Sequence, residues 1–346
     1  MKNINIYVYI AAAAILAACA ASDGRPKASP SCEYASYFDI LADSAVVAIS
    51  PFDGSSDTVL VRQPLRRIIC MSSTNVACLS AIGADSLVAA VSGAGYLAKL
   101  PYEGVPDIGY EAALDYEKIL EIKPDLLVAY VVSGAEPQYI TKLRPLGVPV
   151  LVLHDHLENH PLARAEYVRL FGALTGRQEQ ADSVFSYVRE RYETLAESVA
   201  ADDRVKVLLN IPYADAWYIP GAENYMSQLV RDAAGEVLGA QAGASKSRVA
   251  SLEEAYRLSQ DADFWLNPGH CRTLSQLASV HQLFPSFGPL ANGLPIYNNT
   301  LRTTPEGGND FWESGAVRPD LILEDLIQVF HYDGGGNLNY YFRLED

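Results

Sequence analysis

Histidine and acidic side chains that could bind a metal are grouped in the middle of the chain. His154, Asp155 and His156 are consecutive, and His270 follows a later apolar stretch. Imidazole nitrogens beside a carboxylate are common ligands of zinc and iron. One hypothesis is therefore a site for a free metal ion (zinc, iron or manganese) formed by His154, His156 and His270. A His-x-His pair alone is a weak signal, and no histidine-rich loop accompanies it.

Aromatic side chains follow the predicted strands and suggest a different chemistry. Flat rings cover the apolar faces of a macrocycle or an aromatic chelate with little loss of entropy, and a tyrosinate can ligate haem iron. Aromatic residues are usually buried whatever their role, so we expect about half of these rings to contact ligand. Arg302 is a candidate partner for an acidic ligand group, or else a solvated or structural arginine. The aromatic residues predicted to bind ligand are Tyr96, Tyr110, Tyr130, Tyr213, Trp217, Tyr218 and Trp312.

Motifs of enzyme active sites are absent from the sequence. There is no Gly-x-Ser-x-Gly elbow, P-loop, GxGxxG fingerprint or HExxH helix. Paired acids such as Glu253 and Glu254 are expected to lie solvated on a helix surface. The sequence therefore predicts a binding protein without catalytic residues and without a resident cofactor.

The elements that must position these side chains alternate between strand and helix patterns. Strands separated by helices of about ten residues indicate parallel βαβ units, whose binding surfaces lie at the carboxyl ends of the strands. The first set of strands is predicted at 68–71, 87–91, 126–132 and 148–153, and the pattern resumes with strands at 205–211, 264–267 and 296–297.

A long helical segment separates the two sets of strands. Residues 162–200 have a helical pattern that is interrupted near Gly172 and Gly176, and the second part carries one continuous apolar stripe. The stripe consists of Ala181, Val184, Phe185, Val188, Tyr192 and Leu195. The predicted fold is α/β, with two Rossmann-like lobes joined by one long α-helix and a short N-terminal β-hairpin extension at 46–50 and 58–62.

Seven segments follow from these patterns. They are a signal peptide (1–18), a lipid-anchored linker (19–35), an N-terminal hairpin extension (36–65), an N-terminal α/β lobe (66–160), an interlobe helix (161–201), a C-terminal α/β lobe (202–333) and a tail (334–346).

The N-terminus has the pattern of a bacterial lipoprotein signal. Lys2 precedes an apolar run over 6–18, which ends in Leu-Ala-Ala directly before Cys19. The run is too short for a membrane span, which needs about 20 residues. We expect cleavage before Cys19 and lipidation of that residue, which places the chain in the cell envelope, facing the periplasm. The sequence leaves open which membrane leaflet holds the anchor and whether the protein is exposed on the cell surface. An ordinary signal peptide with an accidental Cys is the alternative interpretation.

Composition limits the partners of the mature chain. From Cys19 onward 25 basic residues stand against 42 acidic ones, a net charge of about −17, which disfavours binding to nucleic acid. The other four cysteines show no metal-binding spacing, and whether they form a disulfide stays open. They are Cys32, Cys70, Cys78 and Cys271.

Several short motifs between residues 66 and 333 occur together in one family. They are Arg67-Ile68-Ile69-Cys70-Met71-Ser72-Ser73, Leu79-Ser80-Ala81-Ile82-Gly83, Asp115-Tyr116-Glu117-Lys118-Ile119-Leu120-Glu121-Ile122-Lys123-Pro124-Asp125, Leu146-Gly147-Val148-Pro149-Val150 and Asn309-Asp310-Phe311-Trp312-Glu313-Ser314-Gly315. With these motifs the chain resembles the substrate-binding lipoproteins of ABC importers for iron complexes, haem and vitamin B12. These are class III periplasmic binding proteins, and the last motif resembles their Bacteroides-type variant.

The resemblance implies a function and a set of partners. The expected cargo is an iron chelate (siderophore or haem) or cobalamin, delivered by a monomer to an ABC permease and its ATPase. Glu117 and Glu223 match the acidic residues that dock with permease arginines in this family. The family often has a Glu early in the first helix, where this chain reads Val76-Ala77-Cys78, so the role of that residue does not transfer.

Overall fold

The computed structural model describes most of the chain. The described residues are 28–41, 45–98, 104–199, 204–214, 216–332, 334 and 336–346. The predicted signal peptide, Cys19 and residues 20–27 of the linker lie outside them. None of the helices in these ranges is long and apolar enough to cross a membrane.

The N-terminal extension is a three-stranded antiparallel sheet. Its strands are β1 (Phe38–Leu41), β2 (Ala45–Ile49) and β3 (Ser56–Leu60), in the order β1-β2-β3. The pair β2–β3 is the predicted hairpin, with Val47 opposite Thr58. The additional strand β1 had no clear sequence signal, because it is short and its burial does not alternate.

The N-terminal lobe is a four-stranded parallel sheet with the order β5-β4-β6-β7. Its elements are β4 (Ile68–Cys70), α1 (Ser73–Ala81), β5 (Val88–Val91), α2 (Tyr116–Ile122), β6 (Leu126–Tyr130), α3 (Gln138–Leu143) and β7 (Val150–Leu153). Helix α2 starts as predicted, since the Asp115 carboxylate accepts a hydrogen bond from the Lys118 N–H at 2.9 Å. It ends at Lys123, whose φ of 52° turns the chain toward β6.

Three helices connect the lobes. They are α4 (Pro161–Ala165), α5 (Tyr167–Thr175) and α6 (Gln178–Glu197). The predicted break at Gly176 is present, with φ of 68°. Gly172 instead stays inside α5, where a Cβ would lie 2.5 Å from the Ala181 Cβ. Gly172 therefore lets α5 and α6 pack closely, and α6 is the long helix with its apolar stripe facing the core.

The C-terminal lobe is a five-stranded sheet with the order β10-β8-β12-β13-β14, parallel except for the last strand. Its elements are β8 (Val205–Leu209), β9 (Trp217–Ile219), α7 (Tyr225–Asp232), β10 (Gly235–Val237), β11 (Arg248–Ala250), α8 (Leu252–Ser259), β12 (Phe264–Leu266), α9 (Leu274–Val280), α10 (Gly288–Ala291), β13 (Ile296–Asn298), α11 (Ser314–Val317), α12 (Pro319–His331) and β14 (Phe342–Arg343). Strands β9 and β11 form a separate antiparallel ribbon. Two α/β lobes joined by a long helix confirm the predicted fold class.

Buried carboxylates attach both ends of the described chain to the lobes. The fully buried Glu166 accepts hydrogen bonds from the backbone N–H groups of residues 33–35, at 2.7–2.9 Å. Glu158 accepts those of residues 36 and 37. At the other end Asp325 accepts the backbone N–H groups of residues 339–341. Much of the segment that the sequence analysis assigns to a tail is therefore part of the C-terminal lobe, where β14 extends the sheet.

The four cysteines of the described residues are free thiols. Cys70 and Cys78 are buried, as their apolar surroundings indicate. Burial raises the pKa of the Cys70 thiol to about 12, so it stays protonated and unreactive.

Candidate ligand cleft

Loops that follow strands of the two sheets are in contact, and we take this contact as one edge of the candidate cleft. The Ala98 N–H, after β5, donates to the Glu313 carboxylate, after β13, at 2.7 Å. A Cβ on Gly308 would lie 2.0 Å from the Tyr96 carbonyl oxygen, so only glycine allows this approach. The lobes are therefore in direct contact at this edge, in addition to their connection through α6.

Tyr96 and Tyr110 lie together on the N-terminal wall. Their ring centroids are 5.7 Å apart in an edge-to-face arrangement, and the side chains are 44% and 52% exposed. Partial desolvation, Tyr96 and Asp107 raise the pKa of Tyr110. Tyr110 is therefore a neutral phenol at pH 7.

Asp107 organises the two loops that carry these rings. Its carboxylate accepts the backbone N–H groups of Gly93, Ala94 and Gly109 at 2.8–3.0 Å. Partial burial raises the pKa of Asp107, but these three donors and Lys118 outweigh burial and hold it below its ordinary value. The two tyrosines are thus positioned by a charged turn that stays ionised at neutral pH.

Tyr130 lies at the end of β6. Its ring meets that of His156 edge-on, with centroids 6.2 Å apart. The exposed fraction of Tyr130 is smaller than those of Tyr96 and Tyr110. The N-terminal wall therefore exposes three tyrosines, all of which sequence analysis predicted as ligand-binding.

The C-terminal wall differs, because Trp217 does not face the cleft. Its side chain is 1% exposed and packs against Trp265 and Phe287, with centroids 6.0 and 5.8 Å away. Successive side chains on a strand point to opposite faces, so Tyr218 is exposed where Trp217 is buried. The prediction that both line the cleft was wrong for Trp217.

The other predicted aromatics of this lobe are exposed. Tyr213 follows β8, and Trp312 packs edge-on against Phe311 with centroids 4.7 Å apart.

Asparagines occupy the ends of three strands of the C-terminal sheet. Asn210 and Asn267 adopt positive φ after β8 and β12, and Asn298 donates to the carbonyls of Gly269 and Cys271.

Arg302 is already paired. Its guanidinium lies 2.8 Å from the Asp310 carboxylate and stacks over the Tyr340 ring, 4.5 Å from the centroid. Its charge is therefore balanced within the C-terminal lobe, which favours the structural role over that of a ligand partner.

The alternative metal site is not formed. Among the described residues, no group of three or more His, Cys, Asp and Glu side chains could hold a metal ion. His154 is buried against Phe52, His156 faces Tyr130, and His270 is exposed on the other lobe. Burial lowers the pKa of both His154 and His156, so they are neutral at pH 7.

The two predicted docking glutamates differ in their surroundings. Glu117 is exposed in the first turn of α2, where the helix dipole stabilises a carboxylate. Glu223 precedes α7, is half-buried and lies 3.8 Å from the Arg231 guanidinium.

Sequence analysis missed a set of buried polar groups at the junction of the lobes. They include Asn75, Arg164 and Tyr225, and the Arg164 guanidinium carbon lies 4.6 Å from the centroid of the Tyr225 ring. The buried Asp155 carboxylate lies nearby, and its charge acts on His156 and Cys78 together with that of Arg164. One signal was available: Arg164 is a charged residue between Ala163 and Ala165 in an otherwise buried helix.

Comparison with known proteins identifies the family. The family model described as "Periplasmic binding protein" matches residues 68–283, well over half of the chain. The chain therefore belongs to this family, whose members are substrate-binding proteins of transporters and not enzymes.

Individual relatives are distant. The chain is 24% identical over 301 residues to an uncharacterised lipoprotein of Methanocaldococcus jannaschii, covering 83% of this chain and 70% of the relative. A periplasmic haem-binding protein from Pseudomonas aeruginosa has a TM-score of 0.61 at 18% identity, covering 82% of this chain and 99% of that one. The periplasmic vitamin B12-binding protein of Vibrio cholerae has a TM-score of 0.58 at 16% identity, covering 79% and 99%. At these identities the likeness to solved structures shows the shared fold.

Proposed function

We propose that this chain is the solute-binding component of an ABC importer for a metal chelate. It binds an iron–siderophore, haem or cobalamin between the lobes and delivers it to a membrane permease and its ATPase. The chelate is transported cargo and not a resident cofactor. The observation that carries this proposal is the set of exposed aromatic side chains in strands and loops of both lobes.

The exposure of these rings is unusual for their type and supports binding of a flat ligand. Large aromatic side chains are mostly buried, yet Tyr96, Tyr110, Tyr218 and Trp312 are each 44–52% exposed beside the cleft. Rings held by turns and neighbouring side chains lose little entropy when an apolar surface covers them. Relatives of the same fold bind haem and vitamin B12 according to their descriptions, which is consistent with this chemistry.

The lobe contacts suit a small closing movement. Helix α6 is continuous over 20 residues, and the loops that carry Tyr96 and Glu313 already meet across the cleft. A rigid helix and a second contact oppose a large hinge rotation. We therefore expect free and bound forms to have closely similar small-angle scattering profiles, and a large domain rotation would contradict this.

Delivery requires partners outside this chain. We propose that Glu117 and Glu223 contact arginines of the permease, one on each lobe. We also propose that the chain is cut before Cys19 and held at a membrane of the cell envelope by lipid on that residue. Replacing Cys19 with Ala should remove the lipid mass and release the protein from the membrane fraction.

Tryptophan fluorescence of residues 20–346 tests the cargo directly. Of the three tryptophans, only Trp312 is exposed, so its emission should be quenched by a ligand in the cleft. We expect one of haem, cyanocobalamin and a ferric siderophore to quench saturably at one equivalent. In Trp312→Phe the quenching should be lost while calorimetry still detects binding. The absence of binding by every chelate would reject the proposal.

A pair of charge reversals on one helix tests docking. Glu117→Arg should abolish cargo-dependent stimulation of ATP hydrolysis in vesicles that contain the permease, since it places like charges at the interface. Glu121→Arg is the matched control, because Glu121 is exposed on the same helix. Equal effects of the two substitutions would show that only the general charge of α2 matters.

A further inference from the structure

The N-terminal extension and the N-terminal lobe enclose a cavity outside the candidate cleft. The hairpin β2–β3 packs beside β7, and a Cβ on Gly134, after β6, would lie 3.4 Å from the Phe52 Cβ in the hairpin turn. The cavity between them has a volume of about 220 Å³, and all of its described lining residues belong to the extension or to the N-terminal lobe. Pockets for drug-sized ligands usually measure about 300–1,000 Å³. The cavity therefore suits a small molecule and not a macrocycle or a large chelate.

A buried imidazole forms part of the cavity wall. His154 is 4% exposed, and its Nδ1 has no hydrogen-bond partner among the described residues. The Phe52 ring, which is 44% exposed, meets it edge-on with centroids 5.9 Å apart. A buried polar atom without a partner is costly, and a ligand that pairs with it removes that cost. A shift of the Phe52 side chain alone would uncover the imidazole.

The rest of the lining carries an excess of negative charge. Asp53, Asp57 and Glu136 supply three carboxylates. Arg144 is the one cationic side chain among the lining residues that the structure describes, and it pairs with Asp57 at 2.9 Å and with Glu136 at 3.4 Å. Burial lowers the pKa of His154, so the imidazole is neutral at pH 7. Three carboxylates against one guanidinium therefore leave two negative charges in the lining.

The hairpin turn holds Asp53 in place. Its carboxylate accepts the N–H and the hydroxyl of Ser55 at 3.1 and 2.7 Å, and the Ser50 carbonyl accepts the Gly54 N–H at 3.0 Å. Hydrogen bonds from Ser50 and Ser55 lower the pKa of Asp53 to about 2, so this carboxylate is ionised at neutral pH. A charge that is already fixed binds a counter-ion with little further loss of entropy.

These features match one class of ligand. An ammonium group carries a positive charge and several N–H donors, so it can pair with a carboxylate and with the acceptor nitrogen of a neutral imidazole. The Phe52 ring can cover a short carbon chain and attracts a nearby cation. A bare metal ion is not a match, because no three ligating side chains converge anywhere in the described ranges.

We propose that the cavity between the extension and the N-terminal lobe binds a small organic cation, such as a primary amine. The amine donates hydrogen bonds to Asp53 and, with Phe52 moved aside, to His154, and its carbon chain lies against the Phe52 ring. The bound cation joins the extension to the lobe. This site does not rest on the proposed function, because it lies outside the candidate cleft and half of it is formed by the extension, which precedes the matched residues 68–283.

Calorimetric titration with three probes of equal chain length tests the class of ligand. They are 1,4-diaminobutane, 1,4-butanediol and succinate. We expect the diamine to bind the wild type saturably at one equivalent, the diol to bind at least about tenfold more weakly, and succinate not to bind. The site is rejected if the diamine does not bind the wild type. Equal or tighter binding of the diol or of succinate would overturn the assignment to a cation.

Two variants with the same change of charge locate the binding. Asp53→Asn should bind the diamine at least about tenfold more weakly than the wild type, because a fixed counter-charge is lost. Asp261→Asn is the control, since Asp261 is exposed on the C-terminal lobe after α8. Equal weakening in both variants would show a general attraction to the acidic surface and reject the site.

A substitution of the buried imidazole separates binding from folding. His154→Leu removes an unpaired polar atom from the interior, so the thermal midpoint should be unchanged or higher while the diamine binds about fivefold more weakly. Unchanged affinity would show that His154 serves packing alone and remove it from the site. The diamine should also raise the thermal midpoint of the wild type but not that of Asp53→Asn, because ligand binding stabilises only the folded state that holds the site.

Chelate binding provides the comparison with the candidate cleft. Asp53→Asn should bind the chelate of the proposed function as the wild type does, since the cavity and the cleft are lined by different residues. A parallel loss of chelate and diamine binding would show that the cavity is part of the cleft and overturn the assignment of a separate site.

Discussion

The two lobes differ in how many of their large aromatic residues are buried. The N-terminal wall exposes Tyr96, Tyr110 and Tyr130, whereas the C-terminal lobe buries Trp217 and Trp265 with Phe284 and Phe287 in a continuous ring cluster. Strand ends of the C-terminal sheet carry asparagines instead. The C-terminal lobe also exposes Tyr213, Tyr218 and Trp312, so it contains both a buried ring cluster and exposed rings. Aromatic content alone therefore does not locate the ligand.

The walls also differ in what supports them. The N-terminal segment is held by Glu158 and Glu166, which belong to the loop and helices between the lobes. The C-terminal wall is completed by β14, whose approach is fixed by Asp325 of α12. Burial raises the pKa of both Glu158 and Asp325. Each of these two segments therefore depends on a buried carboxylate that accepts its backbone N–H groups from an element distant or separate in sequence.

The largest expected difference lies between two tryptophans. Trp217→Ala should lower the free energy of unfolding by about 3–5 kcal/mol, because it leaves a cavity among packed rings. Trp312→Ala should lower it by less than about 1 kcal/mol, since this ring is half exposed. Urea denaturation measures both. Similar losses would show that Trp312 is a core residue like Trp217, and not an exposed ring of the C-terminal lobe.

A smaller effect is expected from the support of the N-terminal segment. Burial raises the pKa of Glu158 from 4.5 to about 7, although two backbone N–H groups and the Tyr167 OH oppose the shift. Because the folded state holds this proton more tightly than the unfolded state, protonation of Glu158 adds to the free energy of unfolding. This contribution is complete below about pH 4.5 and is lost as the pH rises through 7. The difference corresponds to about 3 kcal/mol.

Replacing Glu158 with Gln isolates this contribution. The amide oxygen can still accept the N–H groups of Ser36 and Tyr37, but it does not titrate. The wild type should lose stability relative to Glu158→Gln between pH 4.5 and 8, whereas the exposed Glu121→Gln should follow the wild type. Parallel pH profiles of the wild type and Glu158→Gln would contradict the assignment.

The smallest effect concerns ligand affinity on the exposed wall. Tyr110→Ala should weaken binding of the chelate by about 5- to 30-fold, the loss of about 1–2 kcal/mol of ring contact. Tyr187→Ala is the control, because Tyr187 is equally exposed but lies on α6. Calorimetry measures both dissociation constants. An equal change of the dissociation constant in the two variants would show that Tyr110 does not belong to the binding surface.

Local patterns in the sequence were enough to predict the order of strands and helices. The cap at Asp115, the turn at Lys123 and the apolar stripe of α6 depend on neighbours within a few residues, and all are present as predicted. Gly172 was predicted to interrupt the helix, but it lies within α5 and allows α5 and α6 to pack closely. That outcome depends on a residue nine positions away, which local propensity does not register.

The candidate site was only partly predictable for the same reason. Placement of tyrosines after strands followed from the rule that binding surfaces lie at carboxyl ends. The side to which Trp217 points depends on the register of β9, and the role of Arg302 depends on whether a carboxylate lies nearby. Asp310, eight residues along, pairs with Arg302.

The sequence by itself determined the fold class, the two sets of parallel strands, the long helix between them and the absence of enzyme motifs, because these follow from composition and short-range periodicity. Only the tertiary structure decided which aromatics are exposed, that three histidines do not meet, and that the final residues complete a sheet. These outcomes depend on contacts between residues distant in sequence, and their energies come from burial and pairing that no local pattern contains.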